Sequence, residues 1–166
     1  MKLNLIPALL AGVLCYAPAV TQATDAGQPA PNFALPDAQG STVALQALRG
    51  QVVYVDFWAS WCGPCRRSFP WMNEMQQKYG GKGLAIVAVN VDKKRADAQK
   101  FLAQLPASFP VVFDEGGASP GAFGVKGMPS SYLIDAAGNV VFVERGFVDV
   151  NRADLEDRIK ALLTSR

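Results

Sequence analysis

Unbroken and periodic stretches of hydrophobicity alternate along this chain. "QVVYVDFW" at 51–58 and "LAIVAVNV" at 84–91 are apolar at nearly every position. Both are rich in β-branched and aromatic residues, the pattern of strands buried on two faces. "PVVFD" at 110–114 is a shorter strand of the same kind. Between the strands the period changes. From Cys62 onward apolar residues recur at Phe69, Met72, Met75 and Tyr79, a spacing that predicts a helix reaching Tyr79. "DKKRADAQKFLAQL" at 92–105 predicts a second helix with Phe101, Leu102 and Leu105 turned inward. "GASPGAFGV" reads as a short helix or turn, and "SSYLID" and "VVFVER" flank "AAGN" as a β-hairpin. The last segment, from Asn151, places Leu155, Ile159 and Leu162 on one helical face, with Asn151 a suitable cap.

Upstream, "FALPDAQGSTVAL" has two short apolar pieces around "DAQGS", which predicts a small hairpin. Residues 24–32, "TDAGQPAPN", are small, polar and proline-rich, and read as a flexible lead-in. Strands alternating with helices and ending in a hairpin and helix predict an α/β domain over 33–166, its central sheet mixed but mostly parallel. With half of 166 residues hydrophobic, the chain is long enough to bury a proper core.

The first residues have a different character. Lys2 precedes an apolar run from Leu5 to Val20, and Ala23 in "TQATD" is a plausible cleavage point. Two prolines, Pro7 and Pro18, interrupt this run, which is 16 residues long and short of the roughly 20 a spanning helix needs. Residues 1–23 are therefore expected to be a cleaved export signal, with an uncleaved membrane anchor as the alternative. Cleavage would leave 143 residues, a formal charge of +1 and only two cysteines, Cys62 and Cys65. An exported protein meets an oxidising compartment where cysteines pair.

Charge adds little. The formal net charge is +2, and the cluster Lys93–Lys94–Arg95 reads as a solvated helix start, so no nucleic-acid partner is expected. The chain has no histidine, which excludes Ser-His and Cys-His nucleophile pairs and imidazole metal sites.

The chemistry then rests on Cys62 and Cys65 in "WCGPC". A structural zinc site wants four ligands, of which the exported chain has two thiolates. A purely structural disulfide would close a very short loop, where entropic stabilisation is small. A peroxide-reducing site would show Pro-x-x-x-Thr-x-x-Cys, but Val55 and Ala59 hold the two upstream positions. A dithiol–disulfide catalyst suits the placement best. Cys62 near a helix N-terminus has free backbone amides and the helix dipole to stabilise a thiolate. Cys65, one turn on, would resolve the mixed disulfide, while Gly63 and Pro64 keep the turn tight.

Asp56 falls inside an otherwise apolar strand. It reads either as a hydrogen-bonded core acid or as a proton acceptor for Cys65, its pKa raised by desolvation. Pro70 inside the helical pattern should kink the helix. Trp61 abuts the attacking sulfur and is expected at the active-site surface. Pro129 precedes a strand, and residue chemistry alone leaves its peptide isomer open.

"VDFWASWCGPC" resembles the active-site strand and turn of thioredoxin, including the buried aspartate at Asp56 and the Gly-Pro between the cysteines. Pro70 is similar to its helix-kinking proline. "GMP" at 127–129 resembles its Gly-x-Pro loop, implying that Pro129 is cis and faces Cys62, with Met128 giving backbone contacts to substrate. More of the chain resembles the exported TlpA-like and ResA-like branch. "APNFALPDAQGSTVALQALRG" is similar to that branch's N-terminal hairpin, and about one extra helix–strand unit separates "VNVD" from Pro129. Two departures stand out. Ser68 occupies the position of a glutamate common in that branch, and Ala88 the approximate place of a thioredoxin lysine. Ser130 and Ser131 follow Pro129 where members dedicated to cytochrome c maturation often carry an acid.

The resemblance implies a thioredoxin fold and an exported thiol–disulfide oxidoreductase of the periplasm, with no cofactor beyond the Cys62–Cys65 couple; nothing in the sequence demands an oligomer, so a monomer is expected. Catalysis would fall to Cys62, Cys65 and Asp56, and substrate binding to Trp61, Gly63, Pro64, Met128 and Pro129. The expected activity is reduction of protein disulfides, with electrons from a membrane thiol-transfer partner. The Gly-Pro dipeptide is similar to thioredoxin, whose couple lies near about −270 mV against about −120 mV for a strong oxidant such as DsbA. A copper-delivery module using the two sulfurs as soft ligands and a disulfide oxidase are the competing readings.

Overall fold

Two adjacent parallel strands organise the molecule: β3 (Val52–Trp58) beside β4 (Leu84–Asn90), paired in register from Val52↔Leu84 to Trp58↔Asn90. The computed structural model describes residues 24–165, so the expected export segment lies outside the described residues. Ahead of β3, a hairpin joins β1 (Ala34–Pro36) to β2 (Thr42–Ala44) as a separate two-stranded sheet, as expected. The later strands are β5 (Val111–Phe113), β6 (Ser130–Ile134) and β7 (Val140–Arg145). The central sheet has the order β5-β4-β3-β6-β7. Strands β3, β4 and β5 run parallel, β6 is antiparallel to β3, and β7 is antiparallel to β6. Four of the five strands therefore point one way.

Among the described residues, four α-helices complete the fold: α1 (Cys65–Tyr79), α2 (Arg95–Gln104), α3 (Ala118–Phe123) and α4 (Arg152–Thr164). The sequence α2–β5–α3 fills the stretch between "VNVD" and Pro129. Strand alternation sorts the core into two layers. Val52, Tyr54 and Trp58 face a layer that contains Phe69, Met72 and Met75 of α1, Phe101 of α2 and Leu155 and Ile159 of α4. Val53, Val55 and Phe57 face the other, with Phe123, Phe33 and Leu45. Phe69, Met72 and Met75 are fully buried, each worth about 1.5–3 kcal/mol of transfer free energy. This burial holds α1 in place although Pro70 lies within it and has no amide to donate.

Three details differ from the pattern-based expectation. Helix α2 begins at Arg95, not at residue 92, because the buried Asp92 side chain accepts hydrogen bonds from Ser60 and Asn90 and stays in the turn. Asn151 makes no side-chain cap on α4; its Nδ2 donates to Glu144 Oε1 at 3.3 Å. Residues 24–30 are tied to the domain. Gly27 N–H donates to Val140 O, Val140 N–H to Gln28 O and Ala30 N–H to Gly138 O, at 2.7, 2.8 and 3.0 Å. Two of these bonds occupy the backbone groups of Val140 at the start of edge strand β7, and the third those of the turn before it.

Candidate active site

Strand β3 ends at Trp58, and the chain turns through Ala59–Pro64 into α1. The turn is anchored from below. Asp92 accepts from Ser60 N–H at 2.9 Å and from Ser60 Oγ at 3.0 Å, and Asn90 Nδ2 donates to the same carboxylate at 2.8 Å. Cys62 N–H donates to Ala59 O at 3.1 Å, and Arg66 N–H to Gly63 O at 3.1 Å. Beneath it, Trp58 packs on Phe69 and Phe101 with ring centroids 4.8 and 4.7 Å away, a rigid aromatic floor. Arg66 lies over Phe101 at 4.9 Å and donates to Gln104 Oε1.

Cys62 and Cys65 are joined as a disulfide. Cys65 is the first residue of α1 and Pro64 holds the cap position, so Cys62 sits just ahead of the helix. The Cys65 amide donates to Cys62 Sγ at 3.2 Å, the helix-entrance contact the spacing predicts. Cys65 has no exposed surface, while Cys62 keeps 4% and its neighbour Trp61 is 72% exposed. Gly63 is exposed and Pro64 half-buried, both on the rim of the same turn.

Asp56 is fully buried on the face of β3 shared by Tyr54 and Trp58, and Cys62 and Cys65 belong to the layer packed on that face. Its register partners are Ala88 on β4 and Ser131 on β6. Ser131 Oγ donates to Asp56 Oδ1 at 2.6 Å, and Oδ2 has no hydrogen-bond partner among the described residues. Burial pushes the Asp56 carboxyl up from 3.8 to about 7, the Ser131 hydrogen bond opposing and the charge of Glu144 adding to the rise. Burial likewise pushes the Tyr54 phenol well above its ordinary value, with the Asp56 charge second. The Met128–Pro129 peptide is cis, and Met128 packs against the layer that contains the cysteines. Pro129 O accepts from Gly146 N–H at 2.8 Å, which ties the loop to the end of β7.

The structure thus brings Cys62, Cys65, Trp61, Gly63 and Pro64 into one turn and buries Asp56 in the adjoining strand. Three contributors escaped the sequence reading. Asp92 sits in a polar stretch where any acid is unremarkable by pattern. Ser131 and Glu144 gain significance only from strand register, which places Ser131 beside Asp56 and Glu144 beside Ser131. The signal available was the pair of polar residues inside otherwise apolar strands.

Residues 25–159 match the Redoxin family. Thiol-disulfide oxidoreductase ResA of Bacillus thuringiensis (strain Al Hakam) is 37% identical over 136 residues, covering 82% of this chain and 78% of that protein. ResA of Bacillus subtilis (strain 168) is 37% identical over 120 residues, covering 72% of this chain and 67% of its own. A solved structure of a provisionally named thiol:disulfide interchange protein DsbE from Chlorobium tepidum is 55% identical. It superposes with a TM-score of 0.82 and covers 85% of this chain and 99% of that one. A thioredoxin fold with a bonded cysteine pair at the entrance of α1 defines a thiol–disulfide oxidoreductase. The chain belongs to the Redoxin family and, within the thioredoxin superfamily, is ResA-like.

Proposed function

We propose that this enzyme reduces disulfides of protein substrates outside the cytoplasm, using the Cys62–Cys65 dithiol. The observation that carries the reading is the asymmetry of the pair. Cys62 retains some exposure beside the exposed Trp61, while Cys65 is fully buried in the layer that packs on the Asp56 face of β3.

In this reaction the Cys62 thiolate attacks one sulfur of a substrate disulfide. The substrate S–S bond breaks, its other sulfur leaves as a thiolate, and a Cys62–substrate mixed disulfide forms. Cys65 then gives its thiol proton to the Asp56 carboxylate, directly or through water, and attacks the Cys62 sulfur. The mixed disulfide breaks, the second substrate thiol is released and Cys62–Cys65 closes, two electrons having passed to the substrate. The Cys65 amide, aimed at Cys62 Sγ, and the dipole of α1 favour the thiolate. With an ordinary carboxyl Asp56 would be ionised throughout; with a midpoint at about 7 it both takes and returns a proton near neutrality. Trp61, Gly63, Pro64, Met128 and cis-Pro129 form the surface that holds the substrate strand.

The ResA relatives support thiol–disulfide chemistry. The reducing direction rests on the Gly63–Pro64 dipeptide, and export rests on the apolar run from Leu5 to Val20. No helix among the described residues is long and apolar enough to cross a membrane. Reductase duty in an oxidising compartment requires a membrane thiol-transfer donor to regenerate the dithiol. The test is trapping: Cys65→Ser, incubated with a disulfide-bonded peptide, should accumulate a covalent adduct at Cys62 visible by mass spectrometry. Cys62→Ser should form none. An adduct on Cys65 of the Cys62→Ser chain, with none on Cys62 of the other, would overturn the roles assigned.

A further inference from the structure

Asp56 is not the only acid buried against this face of the sheet. Register aligns Asp56 on β3 with Ser131 on β6, and Ser131 with Glu144 on β7, a single row across three adjacent strands. All three side chains are buried. Adjacent strands lie about 4.8 Å apart, so the backbones of the two acids stand two spacings from each other with Ser131 between them. Ser131 donates to Asp56 Oδ1 at 2.6 Å, and Asn151 donates to Glu144 Oε1 at 3.3 Å. The second oxygen of each acid, Asp56 Oδ2 and Glu144 Oε2, has no hydrogen-bond partner among the described residues. Two such half-satisfied carboxyls are costly as structural devices, because apolar residues would fill the same space without the penalty.

We propose that Glu144 is a positioning residue for proton transfer at Asp56, the second acid of a buried pair whose charge controls whether Asp56 holds its proton. The inference rests on the reading of Asp56 as the proton acceptor for Cys65. When Glu144 is ionised, its charge opposes ionisation of Asp56 through a low-dielectric interior. The Ser131 hydroxyl works the other way by stabilising the Asp56 carboxylate. The groups around the pair are Tyr54 from β3, Asn151 and Asp154 at the start of α4, and Trp71 of α1 in edge contact with Tyr54. Asp154 also opposes ionisation of Glu144, while the Arg152 guanidinium lies over Phe147. Ala88, the partner of Asp56 on β4, supplies no charge to this row.

The test uses the oxidised full chain reduced by dithiothreitol, with each rate divided by the thiolate concentration. A dithiothreitol thiolate attacks Cys62 sulfur, the Cys62–Cys65 bond breaks and Cys65 leaves with a proton from Asp56. The second thiol of the same reagent then displaces Cys62 and closes its own disulfide. The wild-type rate should fall with rising pH about a midpoint near the Asp56 value of about 7. In Glu144→Gln the midpoint should move to lower pH, and in Ser131→Ala to higher pH, whereas Asp56→Asn should lose the transition. An unmoved midpoint in Glu144→Gln, with the transition lost in Asp56→Asn, overturns the role of Glu144 and leaves that of Asp56. A transition that survives Asp56→Asn overturns both. Parallel shifts in Glu144→Gln and Ser131→Ala also overturn the coupling, since mere loosening would move them together. A carboxyl carbon NMR titration of the wild-type chain needs no variant. Coupling predicts that Asp56 and Glu144 each show two steps, and two independent single-step curves would contradict it.

Discussion

A carboxyl buried inside a strand alters stability as well as chemistry. The folded protein binds the Asp56 proton up to about pH 7, whereas the unfolded chain releases it near 3.8. Below both values the acid is protonated in either state and costs nothing. Between them the native state holds the extra proton, so stability falls as pH rises, and above about 7 the loss is complete. Three pH units at about 1.4 kcal/mol each set that loss at about 4 kcal/mol. Asp56→Asn should therefore flatten most of the stability–pH curve across this window and be more stable than wild type at pH 8, measured by urea unfolding. Glu144, also pushed up by burial, adds a fall of the same sign. A variant less stable than wild type at pH 8 would contradict the assignment. At this scale the cysteines and Asp56 were legible, because two sulfurs in a CxxC and an acid in an apolar run stand out from their surroundings. Ser131 and Glu144 were not, since their meaning depends on which strands lie side by side.

Elements hold these residues in place. The turn before Cys62 hangs on Asp92, which accepts three hydrogen bonds from Ser60 and Asn90. Asp92→Ala leaves those donors unpaired and should cost about 2–3 kcal/mol of stability. It should also slow reduction of the Cys62–Cys65 disulfide, because the sulfur loses its fixed position; stopped-flow tryptophan fluorescence would read both. An unchanged rate would mean that the aromatic floor alone fixes the turn. The segment 24–30 supports the far edge of the sheet. Deleting residues 24–32 should speed hydrogen exchange at Val140 and lower the melting temperature, while leaving the Cys62 trapping reaction intact. Most elements were legible because buried strands and amphipathic helices have distinct periods. Their ends were less so. Asp92 was spent on Ser60 instead of opening α2, Asn151 turned to Glu144 instead of capping α4, and a proline-rich segment paired with β7 through backbone groups that no side-chain pattern reveals.

Across the whole molecule, two core layers clamp a five-stranded sheet and leave the reactive turn at the C-terminal end of β3, with the cis-Pro129 loop leading into its neighbour β6. Sheet polarity follows from the connections: helices cross over between parallel strands, and the tight turn after β6 forces β7 back. That architecture was readable from the order of periods along the chain. The direction of electron flow is a property of the whole couple, set by how the fold stabilises the disulfide against the thiolate. The most direct measurement is the reduction potential of Cys62–Cys65, equilibrated against dithiothreitol and glutathione buffers. A value below about −220 mV is expected, in the range of reductants. A value near about −120 mV would mean that this protein takes electrons from its substrates and inserts disulfides instead.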